Sequence, residues 1–528
     1  MKFKRVAIFA GALVVGPQMA GAQEAADLPA VDVVQGTPAQ NAARARKQAP
    51  AVTPLATAPA TVASEGLGAG GAQGAAGGGV PAPITVPSAV TNITDADIAR
   101  EGTGQVQEVL QQRVPGIIIS DAAGNPIRSE VNFRGFTVSS VSGRAQGLAV
   151  YQNGVRINEA FGDVVQWDVL PSNAIASMSV VSNNPSFGLN ALGGAISILM
   201  KDGFSYQGGE IDVMAGSFGR RQVGVQAGGT SGNASAYVAA EGIWDDSFRH
   251  HSDSEIKRFY GDLGFKGTFA EVHFSLSAAK NEIGASAAAP VELLEESWSN
   301  TFTTPQESTP EMIMPTMSAK LKATDTLTFS GVGYYRHYKN SVIDGNVTEI
   351  EECDDAGPNN GLLCLEDDGD EEVVTGPGGP IAADDDLDPL GSVDRLRTKS
   401  DSWGGVLEGQ EKTPLFGRPN LFIAGVSYDH GKSNYRTSSE LATIRPGYVA
   451  EGAGIIVTGP DELAPRDLDT ENTYWGVYFS NAMEVTDRLT VTVGGRYNHA
   501  TIKMEDNTGE FDELNATNKY DRFNPMAG

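Results

Sequence analysis

The chain has few cations and no long apolar run beyond its N-terminus. Its 528 residues include 38 Lys and Arg against 66 Asp and Glu, a formal net charge of −28. Nucleic-acid binding needs clustered cations to neutralise phosphates, so this charge balance argues against a nucleic-acid partner. The lack of an apolar run of about eighteen residues after the N-terminus excludes a helical membrane span. A transmembrane β-barrel stays open, because its alternating strands leave only a weak hydropathy signal.

Cysteine is also scarce. The only two, Cys353 and Cys364, lie eleven positions apart in one acidic segment. In an exported loop such a pair predicts a local disulfide, with two free thiols as the alternative. From Glu351 to Asp388 there are fourteen Asp and Glu and no Lys or Arg. This composition predicts a solvated, self-repelling outer loop, and the glycine spacing and terminal glutamate of a calcium loop are missing. Divalent-ion binding, bridging to lipopolysaccharide, stays a hypothesis.

The first 22 residues have the order of a secretory signal peptide. Lys2, Lys4 and Arg5 precede the apolar run 6–15, and Ala20-Gly21-Ala22 supplies small residues for cleavage. A buried helix is the alternative reading. Export to an oxidising compartment agrees with the predicted disulfide.

A short β-prone run follows within the segment 23–83. It is surrounded by Ala, Gly and Pro without periodicity, a composition that cannot bury a core and predicts a flexible linker. The run has no sheet of its own to join, so it is either a stray apolar patch or a strand for a partner's sheet edge. Its residues are Asp27, Leu28, Pro29, Ala30, Val31, Asp32, Val33 and Val34.

The stretch 131–201 carries the most specific pattern. Short β-branched runs are each closed by Gly or Asn-Gly, which predicts short strands and tight turns. The runs are Val131-Asn-Phe-Arg134-Gly135-Phe136, Val150-Tyr-Gln-Asn153-Gly154-Val155, Ile175 to Val181, and Ala191-Leu-Gly193-Gly194-Ala-Ile-Ser-Ile198. In this order and spacing they closely resemble the plug domain of TonB-dependent outer-membrane transporters. One feature departs: where these plugs usually carry Arg-Gly-Pro, this chain has Asn183-Asn184-Pro185.

The resemblance implies a mainly β fold, with a small α+β plug at 84–202 inside a transmembrane antiparallel β-barrel at 203–528. It also implies that Asp27–Val34 is the TonB box, which pairs with TonB of the inner-membrane energising complex. The family barrel has 22 strands and usually ends on an aromatic residue. This chain ends at Asn524-Pro525-Met-Ala-Gly528. We therefore expect a fragment with about half of the barrel, a naturally short protein being the alternative.

Several plug residues have predicted roles. Thr94 and the acidic residues after it indicate a helix start, and Val106–Arg113 indicates a second helix before a buried strand at Ile117-Ile118-Ile119. Arg134 is expected to make a salt bridge or hydrogen bonds to the barrel wall rather than contact a ligand. Gly135, Gly154, Gly193 and Gly194 are expected at positive-φ turns or close backbone approaches. The polar loop between Thr137 and Gly147 supplies weak substrate-contact candidates, with mere solvation as the alternative: Ser139, Ser140, Ser142 and Arg144.

From Gly203 onwards the chain alternates with period two. Leu489, Val491 and Val493 share one face and Thr490 and Thr492 the other, as apolar-out and polar-in strands require. We expect about eleven strands, joined by alternating short turns and long loops, with interfacial aromatics near strand ends. The strands are expected near 210–218, 222–230, 234–243, 257–267, 270–280, 315–323, 326–337, 401–410, 419–430, 473–483 and 489–498. The aromatics are Phe259, Phe265, Tyr335, Trp403, Tyr428, Trp475 and Tyr497.

The function implied by the resemblance is active import across the outer membrane of a Gram-negative bacterium. A ferric siderophore or another metal chelate is the expected small-molecule substrate, and outer-membrane lipid and lipopolysaccharide are the expected surroundings. The sequence offers no nucleophile and base grouping or metal triad, so neither an enzyme nor a cofactor is expected. An ungated porin or a barrel adhesin, without energised transport, is the alternative.

Overall fold

The computed structural model describes residues 89–528, except 103, 122–123, 141–145, 183–186, 286–287, 354–357 and 368–369. The predicted signal peptide, the linker with Asp27–Val34, the loop residues Ser142 and Arg144, and the Asn183-Asn184-Pro185 departure lie outside the described residues. Among the helices of the described part, none is long and apolar enough to cross a membrane.

The plug, here residues 89–202, contains two sheets and two α-helices. The larger sheet has the strand order β1-β7-β8-β5-β6, in which only β5 and β8 run parallel, and the smaller has the order β2-β3-β4. Its elements are β1 (Val90–Thr94), α1 (Asp95–Glu101), α2 (Val106–Arg113), β2 (Ile117–Ser120), β3 (Glu130–Phe133), β4 (Phe136–Val138), β5 (Leu148–Gln152), β6 (Val155–Arg156), β7 (Ile175–Val181) and β8 (Gly194–Met200).

Local signals position the plug helices. The Thr94 side chain accepts from the Asp97 amide while the Asp97 carboxylate accepts from the Thr94 amide, a capping box that satisfies two free N–H donors of α1. These hydrogen bonds lower the pKa of Asp97. Helix α2 ends at Arg113, as predicted, because the proline that follows Val114 disfavours helical backbone. The expected buried strand forms, but Ile118 is 63% exposed because alternate strand residues face opposite sides.

The second part of the chain is one 15-stranded antiparallel sheet. Twelve of its strands are long and follow the chain as hairpins, and β9 and β28 are its two edges. The long strands are β9 (Gly208–Ala215), β10 (Arg221–Ser231), β11 (Ala234–Asp245), β12 (Ser254–Lys266), β13 (Ala270–Lys280), β16 (Glu311–Lys322), β17 (Leu327–Val347), β23 (Leu390–Glu411), β24 (Asn420–Arg445), β26 (Arg466–Thr486), β27 (Leu489–Asp506) and β28 (Ala516–Ala527).

All eleven predicted barrel strands are present, but two features were missed. Strand β28 was not predicted, since Ala516–Ala527 lacks a clear apolar alternation. Strands β17, β23, β24 and β26 also run far into the predicted long loops. Beyond the membrane both faces of a strand meet water, so polar residues occupy both faces and the period-two signal disappears.

The lobe formed by 348–389, which follows β17, holds the acidic segment. Cys353 and Cys364 form a disulfide there, and Ile350, Leu363 and Val374 form a small core with Leu441 and Val457 of the neighbouring hairpin. The remaining short elements lie in this lobe and in the other long connections: β14 (Glu282–Gly284), α3 (Val291–Glu296), β15 (Gln306–Ser308), β18 (Ile350–Glu352), β19 (Leu363–Asp367), β20 (Asp370–Val373), β21 (Thr375–Gly376), β22 (Gly379–Pro380) and β25 (Val449–Ile456).

The faces of the sheet differ as the alternation predicted. On β27 Leu489, Val491 and Val493 are exposed outward, whereas Thr492 and Arg496 are buried on the inner face. The outward aromatics form a girdle across strands, with ring centroids 5.2 Å apart for Trp403 and Tyr428 and 5.4 Å for Trp475 and Tyr497. Phe259 is only half-buried. An apolar band bounded by aromatic rings is the surface that lipid requires.

The main core joins the plug to the inner face of the sheet. It contains plug residues such as Trp167 and Ile196 together with Tyr260, Met314 and Tyr338 from the sheet. The plug therefore packs against the inner face of this sheet, which we call the wall. Met317, by contrast, is 59% exposed on the outer face.

Candidate functional site

The candidate functional site is the interface between the plug and the inner face of the barrel. Arg258, on β12, is central to it, and its side chain is 2% exposed. Its Nε donates to the carbonyl oxygen of Asp168 at 2.6 Å, and its Nη1 donates to the carbonyl oxygens of Leu170 at 2.9 Å and Gly104 at 3.1 Å. The same nitrogen lies 3.1 Å from the Glu241 carboxylate, which balances the buried charge.

The carboxylate of Asp168 is fully buried and connects a second set of contacts. Asn281, at the end of β13, donates to its carbonyl oxygen and to its Oδ2, both at 2.9 Å. Arg128 lies 3.8 Å from Oδ1 and donates to Ser308 of the barrel at 2.8 Å. The plug segment before β7 is thus held at several points, by Arg258 on β12 and by Asn281 directly after β13.

A third set of contacts surrounds Arg336 on β17. Its guanidinium donates to the carbonyl oxygens of Ile157 at 2.6 Å and Asn158 at 3.0 Å, and it lies 3.3 Å from the Glu159 carboxylate. Burial raises the pKa of Glu159, and the neighbouring Arg336 cation opposes that rise. Arg258 and Arg336 therefore both bind plug backbone and lie next to a carboxylate.

The loop around Asn158 contacts strands β24 and β26 of the wall. The ring of Phe161 stacks on Tyr435 of β24 with centroids 4.5 Å apart. Asn472 donates to the carbonyl oxygen of Ala160. A Cβ added to Gly431 would lie 2.5 Å from the Ala160 side chain, so the wall needs glycine there. This loop is the plug apex, residues 157–164.

A small polar cavity, about 40 Å³ in volume, lies beside the apex. Arg156 of the plug lines it and pairs with Asp163 at 2.5 Å. From the wall, Tyr334 and Asp429 line it and are joined by a hydrogen bond of 2.9 Å. This volume is sufficient for one or two water molecules. Water there would hydrogen-bond to polar groups of both the plug and the wall.

The predicted plug residues are placed as follows. In the part of the chain that the structure describes, Arg134 contacts the plug and not the barrel wall, which corrects that expectation: its Nη1 donates to Ser182 at 3.4 Å and its guanidinium lies over Phe133. Residue 134 lies in a turn, with φ of +54°, and is exposed.

The four glycines meet different constraints. Gly135 and Gly154 have φ of +86° and +83°, in turns that L side chains disfavour. Gly194 has φ of +145°, and an added Cβ would lie 2.5 Å from the carbonyl oxygen of Val181. At Gly193 an added Cβ would lie 2.4 Å from the side chain of Phe136.

The weak substrate-contact candidates do not form a ligand surface in the described part of the chain. Ser139 and Ser140 are buried, and the Ser140 hydroxyl donates to the carbonyl oxygen of Arg128 at 3.2 Å. Sequence reasoning instead missed Arg258, Glu241 and Arg336. Each is a charged residue at an inward-facing position of a barrel strand. Which plug groups it meets depends on the register of the strands, and the sequence does not show that register.

Within the described residues no group of three His, Cys, Asp or Glu side chains is arranged to hold a metal ion. The interface consists of hydrogen bonds from cationic side chains of the wall to backbone carbonyl oxygens of the plug. A cavity large enough for one or two water molecules lies beside them. Such contacts hold a domain in place and exchange with water when it moves.

Comparison with known families and structures gives a consistent result. The family model described as TonB-dependent Receptor Plug Domain matches residues 82–195, and that described as TonB dependent receptor-like, beta-barrel matches residues 318–528. No curated protein matches the sequence.

Many solved structures are similar in fold, and three of them illustrate the match. The unliganded ferric citrate transporter FecA shares 12% identity at a TM-score of 0.60, covering 84% of this chain and 60% of that one. The siderophore receptor PiuA from Acinetobacter baumannii shares 16% identity at a TM-score of 0.60, covering 84% and 62%. The open form of the ferric-catecholate import receptor Fiu from E. coli K12 shares 12% identity at a TM-score of 0.58, covering 84% and 66%. The chain thus spans under two thirds of each relative's length.

Proposed function

Because the chain belongs to the TonB-dependent receptor family, an outer-membrane β-barrel family, we propose that it takes part in the active import of a scarce nutrient across the outer membrane. The plug closes the bore in the resting state. The partner is TonB, which supplies force from the inner-membrane proton gradient. No chemistry on the substrate is needed.

The observation that supports this proposal is the way the wall holds the plug. Arg258 and Arg336 donate mainly to backbone carbonyl oxygens of the plug, and their carboxylate partners Glu241 and Glu159 are buried with them. These polar contacts exchange with water more readily than an apolar seal, because water offers the same hydrogen bonds. A plug that must move under force and then return needs an interface of this kind.

Asp27–Val34 is the segment through which the force would act. A strand that pairs with the edge of a partner's sheet is held by several backbone hydrogen bonds. Because these bonds share the pulling force, the strand can transmit tension along its backbone. The Ala, Gly and Pro composition of 23–83 is typical of a linker, which would give this segment the reach to meet its partner away from the barrel.

For the substrate we propose a ferric siderophore or another metal chelate. The names of the similar structures support this choice: ferric citrate for FecA, a siderophore for PiuA and ferric catecholate for Fiu. At 12–16% identity these names concern those proteins, and the loops that recognise cargo vary most. The plug apex, with Phe161 against Tyr435, is the surface of the plug that we expect a substrate to meet first.

Deleting Asp27–Val34 tests the proposal. In cells that produce the full-length protein, uptake of the labelled chelate should stop while its binding to the cell surface persists. Uptake that continues after the deletion would instead indicate an ungated porin. Binding without uptake in either form would indicate an adhesin.

A further inference from the structure

The plug is attached differently to two parts of the wall. One part consists of strands β10 to β13 and is called the β10–β13 wall. The other consists of β23, β24, β26 and β27 and is called the β23–β27 wall. Both parts contact the plug, but their polar groups find their hydrogen-bond partners in different places. The difference indicates which part of the wall the plug can leave at the lower cost.

Hydrogen bonds to the β10–β13 wall cross the interface. In each of them the donor belongs to one surface and the acceptor to the other, as in the contacts that Arg258 and Asn281 make with the plug. Separating the surfaces would leave these buried groups unpaired, which costs more than the hydrogen bond itself contributes. The further crossing pairs are Gln152 with Ser277 at 2.8 Å, Asn153 with Tyr260 at 3.1 Å, Ser172 with Glu241 at 3.0 Å and Lys201 with Gln226 at 3.1 Å.

Apolar contacts hold the plug on the same side. Tyr237 and Tyr260 of the β10–β13 wall are buried in the main core that the plug shares. A second buried cluster joins Ile127 of the plug to Ile243 of β11. From the β23–β27 wall, Val406 packs against the main core while only partly buried. Moving the plug away from β10–β13 would expose both clusters to water, which is unfavourable, so this is the side on which the plug is fixed.

At the β23–β27 wall, polar pairs beside the small cavity stay within one surface. Wall donors there have wall acceptors, and the plug cation has a plug carboxylate. Separation of the two surfaces leaves these pairs intact, and the gap that opens is lined by groups that water can solvate. The pairs are Tyr334 of the adjoining β17 with Asp429 at 2.9 Å and Tyr478 with Glu408 at 2.7 Å on the wall, and Arg156 with Asp163 at 2.5 Å on the plug.

The plug apex closes one end of this cavity. Phe161 stacks on Tyr435 of β24, and Asn472 of β26 donates to the carbonyl oxygen of Ala160. Ser427, which lines the cavity, lies nearer to the start of β24 than Tyr435 does. The long connection between β24 and β26 follows the later end of that strand. The apex therefore covers the end of the cavity that faces the long loops, where a substrate arrives.

The cavity is lined by groups that suit a hydrophilic solute. Tyr474, Tyr478 and Arg496 line it from the wall. Arg156 lines it from the plug. Phenol and guanidinium groups donate hydrogen bonds to oxygen atoms. A path that widens from this cavity would therefore offer hydrogen bonds to an oxygen-rich chelate and little to an apolar solute.

We propose that during import the plug separates from the β23–β27 wall and stays attached to the β10–β13 wall, so that a hydrophilic chelate passes along the side lined by Tyr474, Tyr478 and Arg496. This inference rests on the proposed import function and adds to it the side of the plug on which the route opens. The physical reason is the difference in the cost of separation. One side loses crossing hydrogen bonds and an apolar core, and the other parts along pairs that each surface keeps.

Two cross-links test the proposal in cells that produce the full-length protein. A Cβ added at Gly188 of the plug would lie 3.3 Å from Nη2 of Arg496, and that atom lies 2.5 Å from Oγ of Ser427. A short bis-methanethiosulfonate reagent should therefore join the plug to the β23–β27 wall in G188C/S427C. The matched variant Q152C/S277C joins the plug to the β10–β13 wall, at a hydrogen bond of 2.8 Å.

Uptake of radiolabelled iron, supplied as ferric citrate and as a ferric catecholate, should be lost in cross-linked G188C/S427C and return when dithiothreitol removes the reagent. Cross-linked Q152C/S277C should retain the uptake of the same variant before treatment. The untreated variants report on import itself. If they and the wild type take up neither chelate, it is the proposed function that fails, and the next measurement alone decides which side separates.

The second measurement does not depend on import. Ser427 and Ser277 are each the eighth residue of their strand, β24 and β13, so S427C and S277C are matched single variants. In the purified full-length protein in dodecyl maltoside micelles, S427C should react with a maleimide at a lower urea concentration than S277C. Reaction of S277C at the same or a lower concentration, loss of uptake in cross-linked Q152C/S277C, or retained uptake in cross-linked G188C/S427C would each overturn the proposal.

Discussion

The guanidinium of Arg258 donates to the backbone carbonyl oxygen of Asp168 at 2.6 Å, so a barrel side chain binds the plug main chain 90 positions earlier. The same arginine reaches two further plug carbonyls and the buried carboxylate of Glu241. A cation that binds carbonyl oxygens recognises where the plug backbone runs rather than which side chains it carries. Alongside the shared apolar core, Arg258 thus fixes where the plug backbone lies against the wall.

Replacing Arg258 with alanine should loosen the plug. Glu241 would stay buried without its cation, and breaking a buried pair in this way costs about 3–5 kcal/mol. Hydrogen exchange of the segment around Leu170 should accelerate, as followed by mass spectrometry. R258A/E241Q should recover part of the loss, because the unpaired charge is gone. The control R418A removes an exposed ion pair with Asp487 and should change exchange little. Unchanged exchange in R258A would contradict this role.

Glu159 makes plug stability depend on pH in a definite direction. Burial raises its pKa above the ordinary value of 4.5, so the folded protein favours the neutral acid. That contribution is fully present below about pH 4.5 and is lost as pH rises through the folded pKa. The Tm of E159Q minus that of the wild type should therefore grow more positive between pH 4 and pH 7. A difference that is flat or falls with pH would refute this, and E292Q, on the exposed helix α3, is the control.

A single proline in the Asp27–Val34 segment should uncouple transport. Proline lacks the N–H that a strand needs to extend a sheet, so Val33→Pro should stop chelate uptake and abolish cross-linking to TonB. Substrate binding to whole cells should stay at the wild-type level. Ala51→Pro, in the linker, serves as the control and should transport normally. Normal uptake by V33P would place the coupling strand elsewhere.

The glycines of the plug should differ in their tolerance of alanine. Gly194→Ala would bring a Cβ to 2.5 Å from the Val181 carbonyl oxygen in addition to its φ of +145°, and should cost about 3 kcal/mol in the free energy of unfolding. Gly135 has a φ of +86° but open space around it, so Gly135→Ala should cost about 1 kcal/mol. Denaturant unfolding of the two variants measures the contrast, and equal costs would contradict it.

The disulfide between Cys353 and Cys364 should stabilise the acidic lobe alone. A cross-link that closes a loop of this length contributes about 3 kcal/mol by restricting the unfolded chain. C353S/C364S should be cut faster within the lobe by limited proteolysis, while the Tm of the barrel stays unchanged. Val374→Ala, in the lobe core, should accelerate the same cleavage by opening a cavity. Cleavage at the wild-type rate in C353S/C364S would show that the apolar core of the lobe stabilises it without the disulfide.

Much of the architecture was accessible from local sequence signals. The Thr94 and Asp97 capping box, the end of helix α2 before a proline, and the alternation of β27 each depend on residues within a few positions of one another. Strand extensions beyond the lipid and the whole of β28 were missed, since water on both faces removes the alternation that marks a strand.

The sequence by itself determined the class of structure, a plug followed by a lipid-facing barrel, because helix caps, turn glycines and period-two patterns are local and act wherever the chain lies. Only the tertiary structure decided which charges meet. The register of the strands brings Arg258 to the backbone of Asp168 and places Lys339 opposite Lys399, although these residues are far apart in the chain. The register of each strand depends on the lengths of all the hairpins before it and on packing against the plug. A periodic pattern within a few residues contains no information about those lengths.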